Sequence, residues 1–148
     1  MTRSVDALEL LTSQHDELAA IISRLESVAP DRRALVIGEL ADKLCAHLAA
    51  EQELLYPSVA VVTHALDTRE PSAEDETVKA ALADLLGTTL DAADLRSRIE
   101  ALHALIESHS RWQDTLFVEL AETLPDEMLG ELGAQLLELS ESARSVML

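Results

Sequence analysis

Apolar residues recur every three or four positions through most of the chain, the spacing that gathers them on one stripe of an α-helix. Leu8, Leu11, Leu18, Ile22 and Leu25 mark a first helix from about Ser4 to Val28, and His15 lies on the same stripe. Pro30-Asp31 breaks the pattern and is placed to cap the next helix. That second helix starts near Asp31 and runs at least to Tyr56, on a stripe of Leu40, Leu44, His47, Glu51 and Leu54/Leu55. Pro57 is positioned to kink or shorten it. The segment THALDTREP, from Thr63 to Pro71, reads as a polar connection. Ser72-Ala73-Glu74-Asp75 then fits a capping box, with Asp in place of the usual Glu or Gln.

The third helix carries Asp75, Val78, Leu82 and Leu85 on one face and ends near Gly87. A fourth begins near Asp91 with the stripe Leu95, Ile99, Leu102, Ile106, His109, Gln113, Leu116 and Leu120. Pro125 ends it or starts the last segment, and Leu129, Leu132, Leu136, Leu137 and Leu139 define a fifth. Short turns imply antiparallel neighbours. The expected fold is all-α: an up-down-up-down four-helix bundle with an additional C-terminal helix, one domain over residues 1–148.

Composition narrows the partners. Aromatic residues are 2% of the chain, too few for a typical sandwich or barrel core. A net charge of −17 argues against nucleic acid and against anionic membrane surfaces, both of which need clustered Lys and Arg. No apolar run is long enough to span a bilayer. MTRSVDALELL turns amphipathic at once, unlike a signal peptide, and Cys45 is the single cysteine. The expected setting is therefore the reducing cytoplasm, with Cys45 a small buried helix residue rather than a redox sensor.

The chemistry lies in polar residues on apolar stripes. His47 and Glu51, one helical turn apart, can reach the same point in space, and burying both is costly unless something compensates them. A metal ion is the simplest compensator. With about 1.5 Å rise per residue, His15 lies about 20 Å before the end of the first helix and His47 about 24 Å into the second. His109 lies about 27 Å into the fourth helix and Asp75 about 18 Å before the end of the third. All four fall within about two turns of one level, the geometry of a metal site inside a bundle. A faint repeat supports this: HLAAEQELLYP at His47 and HSRWQDTLFVE at His109 each start with a stripe histidine. An acid follows about one turn later, then a leucine and an aromatic. His64, in the polar connection, and His103, off the stripe, read as surface residues; Trp112 and Tyr56 read as packing near the site.

These residues resemble the hemerythrin-like proteins, the HHE cation-binding domain. LLTSQHDEL around His15 looks like the first-helix motif, and HLAAEQELLYP like the second, including its Tyr-Pro ending. DETVKAALADLL and ESHSRWQDTLF are similar to the third- and fourth-helix segments. The resemblance implies a four-helix bundle holding two irons through histidines and bridging carboxylates. His15, His47 and His109 would be nitrogen ligands and Glu51 one bridge. Asp114, five residues after His109, would be the other carboxylate in preference to Gln113, whose neutral amide is a poor bridge. Gln113 and Tyr56 would then support the site from outside. The third helix departs from the family pattern: where histidine is expected, this chain has Asp75 and Lys79. Asp75 would either donate oxygen to the metal or merely complete the Ser72 cap, and Lys79 would point to solvent.

The expected function is non-haem metal binding, with iron as a di-iron or single-metal centre and an incomplete ligand set. An open position would take O2, peroxide or NO. The alternative is a degenerate, metal-free bundle serving as an interaction module. Catalytic turnover ranks below both, because no nucleophile elbow or phosphate loop is present and no catalytic residues can be assigned.

Overall fold

A computed structural model describes residues 6–58, 69–87 and 92–147, with side chains placed over 6–58, 74–87 and 93–139. His64 and most of the expected polar connection fall outside these residues. Helix α1 covers Ala7–Ser27, and Asp6 caps it by accepting a hydrogen bond from the Glu9 N–H at 2.9 Å. This satisfies one of the four N–H groups that every helix start leaves open. A 3-10 turn, Pro30–Arg32, leads into α2, Arg33–Ala50.

The chain then widens into a π turn at Glu51–Leu55, closed by the Tyr56 N–H bonding the Glu51 carbonyl. Helical geometry resumes through Ser58. Pro57 has no N–H to extend a regular ladder, so the irregular turn sits immediately before it. Helix α3 covers Arg69–Leu86, α4 Ala92–Thr123 and α5 Asp126–Met147. The start of α3 lies three residues before the expected capping box. Pro71 is therefore inside the first turn, where a missing N–H costs nothing, and Ser72 is not the cap.

Helix α1 packs on α2, α4 and α5, while α3 packs on α4 and α2. The four bundle helices thus form a square with α1 and α3 on one diagonal. One apolar cluster fills the end where α1 meets α2 and α3 meets α4, with Ile22, Leu25, Leu40, Leu44, Leu85 and Leu95 fully or almost fully buried. A second fills the opposite end, built from Leu8 and Leu11 of α1, Leu55 and Tyr56, Phe117 and Leu120 of α4, and Leu129, Leu132 and Leu136 of α5. The fifth helix therefore closes the end at which the bundle would otherwise be open. Between the two clusters lies a polar layer: His15, His47, Glu51, Asp75, His109 and Gln113 are all buried. Among the described residues, no helix is long and apolar enough to cross a membrane.

Candidate metal centre

Three helices deliver a histidine from an apolar stripe, each held on the inner face by leucine or isoleucine one turn away. The ring centroids lie 4.9 Å apart for His15–His47, 6.1 Å for His47–His109 and 6.5 Å for His15–His109. Glu51 comes from the first residue of the π turn and has no solvent exposure. Its Oε1 contacts His47 Nε2 and lies 3.1 Å from His109 Nε2. Asp75 comes from α3, equally buried, with Oδ1 3.8 Å from His109 Nδ1.

The π turn has a local purpose. In a regular helix, residues five apart point about 140° away from each other. The wider turn brings Tyr56 round to Glu51, and its hydroxyl donates to Glu51 Oε2 at 3.3 Å. The same hydroxyl accepts from Gln113 Nε2 at 2.8 Å. That bond fixes the Gln113 amide, so its Oε1 faces His15 Nε2 at 2.6 Å and His47 Nε2 at 3.4 Å.

His15 and His47 meet acceptors on both sides, and His109 on its inner side. Inward, the three Nε2 atoms face oxygens of Glu51 or Gln113. Outward, His15 Nδ1 lies 3.1 Å from Asp114 Oδ1, and His47 Nδ1 lies 2.7 Å from Gln14 Oε1. His109 Nδ1 has Glu74 Oε1 at 3.6 Å and Asp75 Oδ1 at 3.8 Å. A neutral imidazole carries one N–H and cannot serve two acceptors. Protonating all three would place three positive charges in the core. With the proton held on Nδ1 by the outer acceptors, the Nε2 lone pairs of His15 and His47 point at oxygen lone pairs, a conflict that a cation between them would relieve.

The donor atoms are close enough for this. One ligand atom each from His15, His47 and Glu51 fall within 4.8 Å of one another, as do one each from Glu51, Asp75 and His109. Glu51 belongs to both groups. Asp75 Oδ1 and His109 Nδ1 are buried without a hydrogen-bond partner. Burial, followed by the charge on Glu51, pushes the Asp75 carboxyl up to about 7. Burial alone would raise Glu51 too, but His47 and His109 outweigh it and hold that carboxyl well below the usual range. Desolvation and the neighbouring His47 lower His15. Desolvation also opposes charge on His109, yet the carboxylates of Glu51, Asp75 and Glu74 leave it raised. Burial and then the Glu51 charge push the Tyr56 hydroxyl far up, so it remains a donor.

Gln113, not Asp114, occupies the inner position on α4. Four residues after His109 is about 40° off its face, whereas five residues is about 140° off in a helix without a π turn there. Asp114 is instead 54% exposed and supports His15 from the rim. Lys79 is partly exposed, but its Nζ turns back to Gln52 Oε1 at 3.3 Å, and Gln52 Nε2 donates to Asp75 Oδ2 at 3.2 Å. His103 lies outside the site, paired with Glu26 and Glu107. Trp112 packs 6.4 Å from the His109 ring, and Phe117 stacks on His15 at 5.8 Å. Cys45 is exposed rather than buried, because it falls about 100° round from Leu44. Gln14 carries no signal of its role in the sequence beyond lying next to a stripe residue, and Gln52 shows only as the amide beside Glu51 in the repeat, matching Gln113 beside Asp114.

Comparison with known proteins places the fold and the family. A chain from Nostoc sp. (strain PCC 7120), described as a DNA nickase, is 26% identical over 121 residues, covering 80% of this chain and 34% of that protein. The present chain thus spans about a third of that curated relative's length. The crystal structure of a hemerythrin HHE cation-binding-domain protein from Mycobacterium kansasii superposes with a TM-score of 0.84 at 22% identity. The match covers 96% of this chain and 89% of that one, a likeness of fold. The family described as Hemerythrin HHE cation binding domain matches residues 6–131. The chain belongs to that hemerythrin HHE cation-binding family.

Proposed function

We propose that this protein binds iron as a non-haem centre inside the bundle and presents it to a small ligand such as dioxygen, peroxide or nitric oxide. The observation that carries this reading is the double set of acceptors around the buried His15 and His47. His15, His47 and Glu51 would hold one metal position; Glu51, Asp75 and His109 would hold the other. Two histidines with one carboxylate is a set that suits ferrous iron and leaves coordination positions open. Bound iron would supply redox chemistry and a binding position for the small ligand. The residues around it do the rest. Asp114 and Gln14 orient His15 and His47, and Tyr56 and Gln113 hold the inner oxygens in place. Two apolar clusters exclude bulk water from both ends. A groove between α1 and α4, lined by His15, Ser110, Arg111 and Asp114 among others, gives a small molecule a route to the His15 side.

The orphaned atoms on Asp75 and His109 weigh against a metal-free interaction module, since buried polar groups are normally paired. The test is to load untagged protein anaerobically with ferrous iron, remove excess, and count metal per chain. Between one and two irons per chain are expected, falling to near zero in His47→Ala. No retained iron in the wild type, with a melting temperature that ignores added metal, would overturn the reading.

A further inference from the structure

The two donor groups share Glu51 but differ in every other respect, and the difference bears on how many metals the protein keeps. The first offers two imidazole nitrogens and the Glu51 carboxylate, with the Gln113 amide oxygen between the rings. The second offers one imidazole and the Asp75 carboxylate beside the shared Glu51. Asp75 is also already engaged. Its Oδ2 accepts from Gln52, and the Gln52 amide is oriented by the Lys79 ammonium. A positive charge is thus tied, through one amide, to a carboxylate of the second position. No such link reaches His15 or His47 among the hydrogen bonds of the described residues. Lys79 also lies within 3.4 Å of Glu76, which leaves its charge only partly neutralised at a half-exposed site.

We infer that Lys79, acting through Gln52 and Asp75, makes the two positions unequal, so that the protein fills the His15–His47–Glu51 position first and holds the second metal weakly. This rests on the metal-binding reading above. Two physical effects act together. The ammonium repels a second divalent cation through a partly low-dielectric path. The Lys79–Gln52–Asp75 chain also ties Asp75 Oδ2 to Gln52, which leaves Oδ1 as the one Asp75 oxygen free to ligate a second metal. Lys79 is a positioning residue, because it touches neither metal position.

The experiment is calorimetric titration of the metal-free, full chain with Zn2+ alone, backed by Co2+ absorption to read coordination at each step. The wild type is expected to show one tight event per chain and a second at least tenfold weaker. Lys79→Met should leave the first event unchanged and tighten the second by roughly tenfold, the scale of losing one nearby charge. Lys79→Arg, which keeps the charge, should retain a weak second event. Two equal events in the wild type, or a Lys79→Met second event as weak as the wild type's, would overturn the inference while leaving metal binding intact. Absence of any event, in the wild type as in His47→Ala, would instead remove the metal reading itself.

Discussion

The two halves of the buried polar layer lie at the same depth and are both buried, yet only in one of them does every ring nitrogen have an oxygen within hydrogen-bond distance. Around His15 and His47, every ring nitrogen faces an oxygen at 3.4 Å or less: Gln113 and Glu51 within, Asp114 and Gln14 outside. Around Asp75 and His109, Oδ1 and Nδ1 face each other at 3.8 Å with no hydrogen bond, and carboxylates outnumber their donors. Burial is thus not what separates an ordered site from an unfinished one. What separates them is whether the outer side of each ligand has a partner that fixes it. The histidine half is preorganised by its outer partners, and the aspartate half has none at hydrogen-bond distance from His109 Nδ1.

The sharpest way to break the comparison is to remove what the halves share. Glu51→Gln takes away the single carboxylate common to both groups and leaves a side chain of the same shape. Both metal positions should weaken together, with affinity falling at least a hundredfold, measured by chelator competition with Zn2+. If one titration event survives at wild-type strength, Glu51 is not shared and the two halves are independent sites.

How far the sequence revealed this layer follows the same division. The stripe of α1, α2 and α4 placed His15, His47 and His109 at one level, because a 3.6-residue period and a fixed rise per residue translate directly into face and depth. The square of helices followed from the same stripes and the short turns. The aspartate half was less legible. Ser72 resembled a cap, but α3 starts at Arg69, so Asp75 sits a full turn further into the helix than a capping residue would. The π turn that rotates Tyr56 onto Glu51 has no periodic signature in five residues. Gln14, Gln52 and Asp114 depend on how neighbouring helices are rotated about their axes, which a stripe fixes only to within a residue or so.

Asp75 offers an effect that changes sign with the metal. Without metal, Asp75 is faced by Glu51 and Gln52 from the π turn, by Tyr56 just after it, by His109 from α4, and by the Lys79 relay from its own helix. Its carboxyl titrates near 7 in the fold, against 3.8 for an unperturbed aspartate. A carboxyl raised in this way binds its proton more tightly when folded. Its contribution is full below about 4 and is lost as the pH rises towards 7. Metal-free Asp75→Asn should therefore melt higher than the wild type at pH 8, on the order of 5 °C, with the gap closing by pH 4. With metal in excess the order should reverse at pH 8, because the variant loses a ligand of the second position. A variant that is less stable than the wild type at pH 8 in both states would mean that Asp75 is held by structural bonds and not by an unmet charge.

The smallest expected effect concerns the rim of the histidine half. Asp114 touches neither metal position, and its carboxylate is half exposed, so deleting its charge should cost little folding stability. It does fix which nitrogen of His15 keeps the proton. In Asp114→Asn the amide can present either a donor or an acceptor to Nδ1, and a donor would force the proton onto Nε2, the atom needed inward. The first binding event should weaken by roughly tenfold, the usual cost of losing an outer partner of a metal-bound histidine, while the second stays put. The loss should shrink as the pH falls below neutrality, because the Asp114 carboxylate raises the proton affinity of His15 and the wild type then loses more metal binding to protonation than the variant does. A second event that weakens as much as the first would show that His15 serves both halves, and the division between them would have to be redrawn.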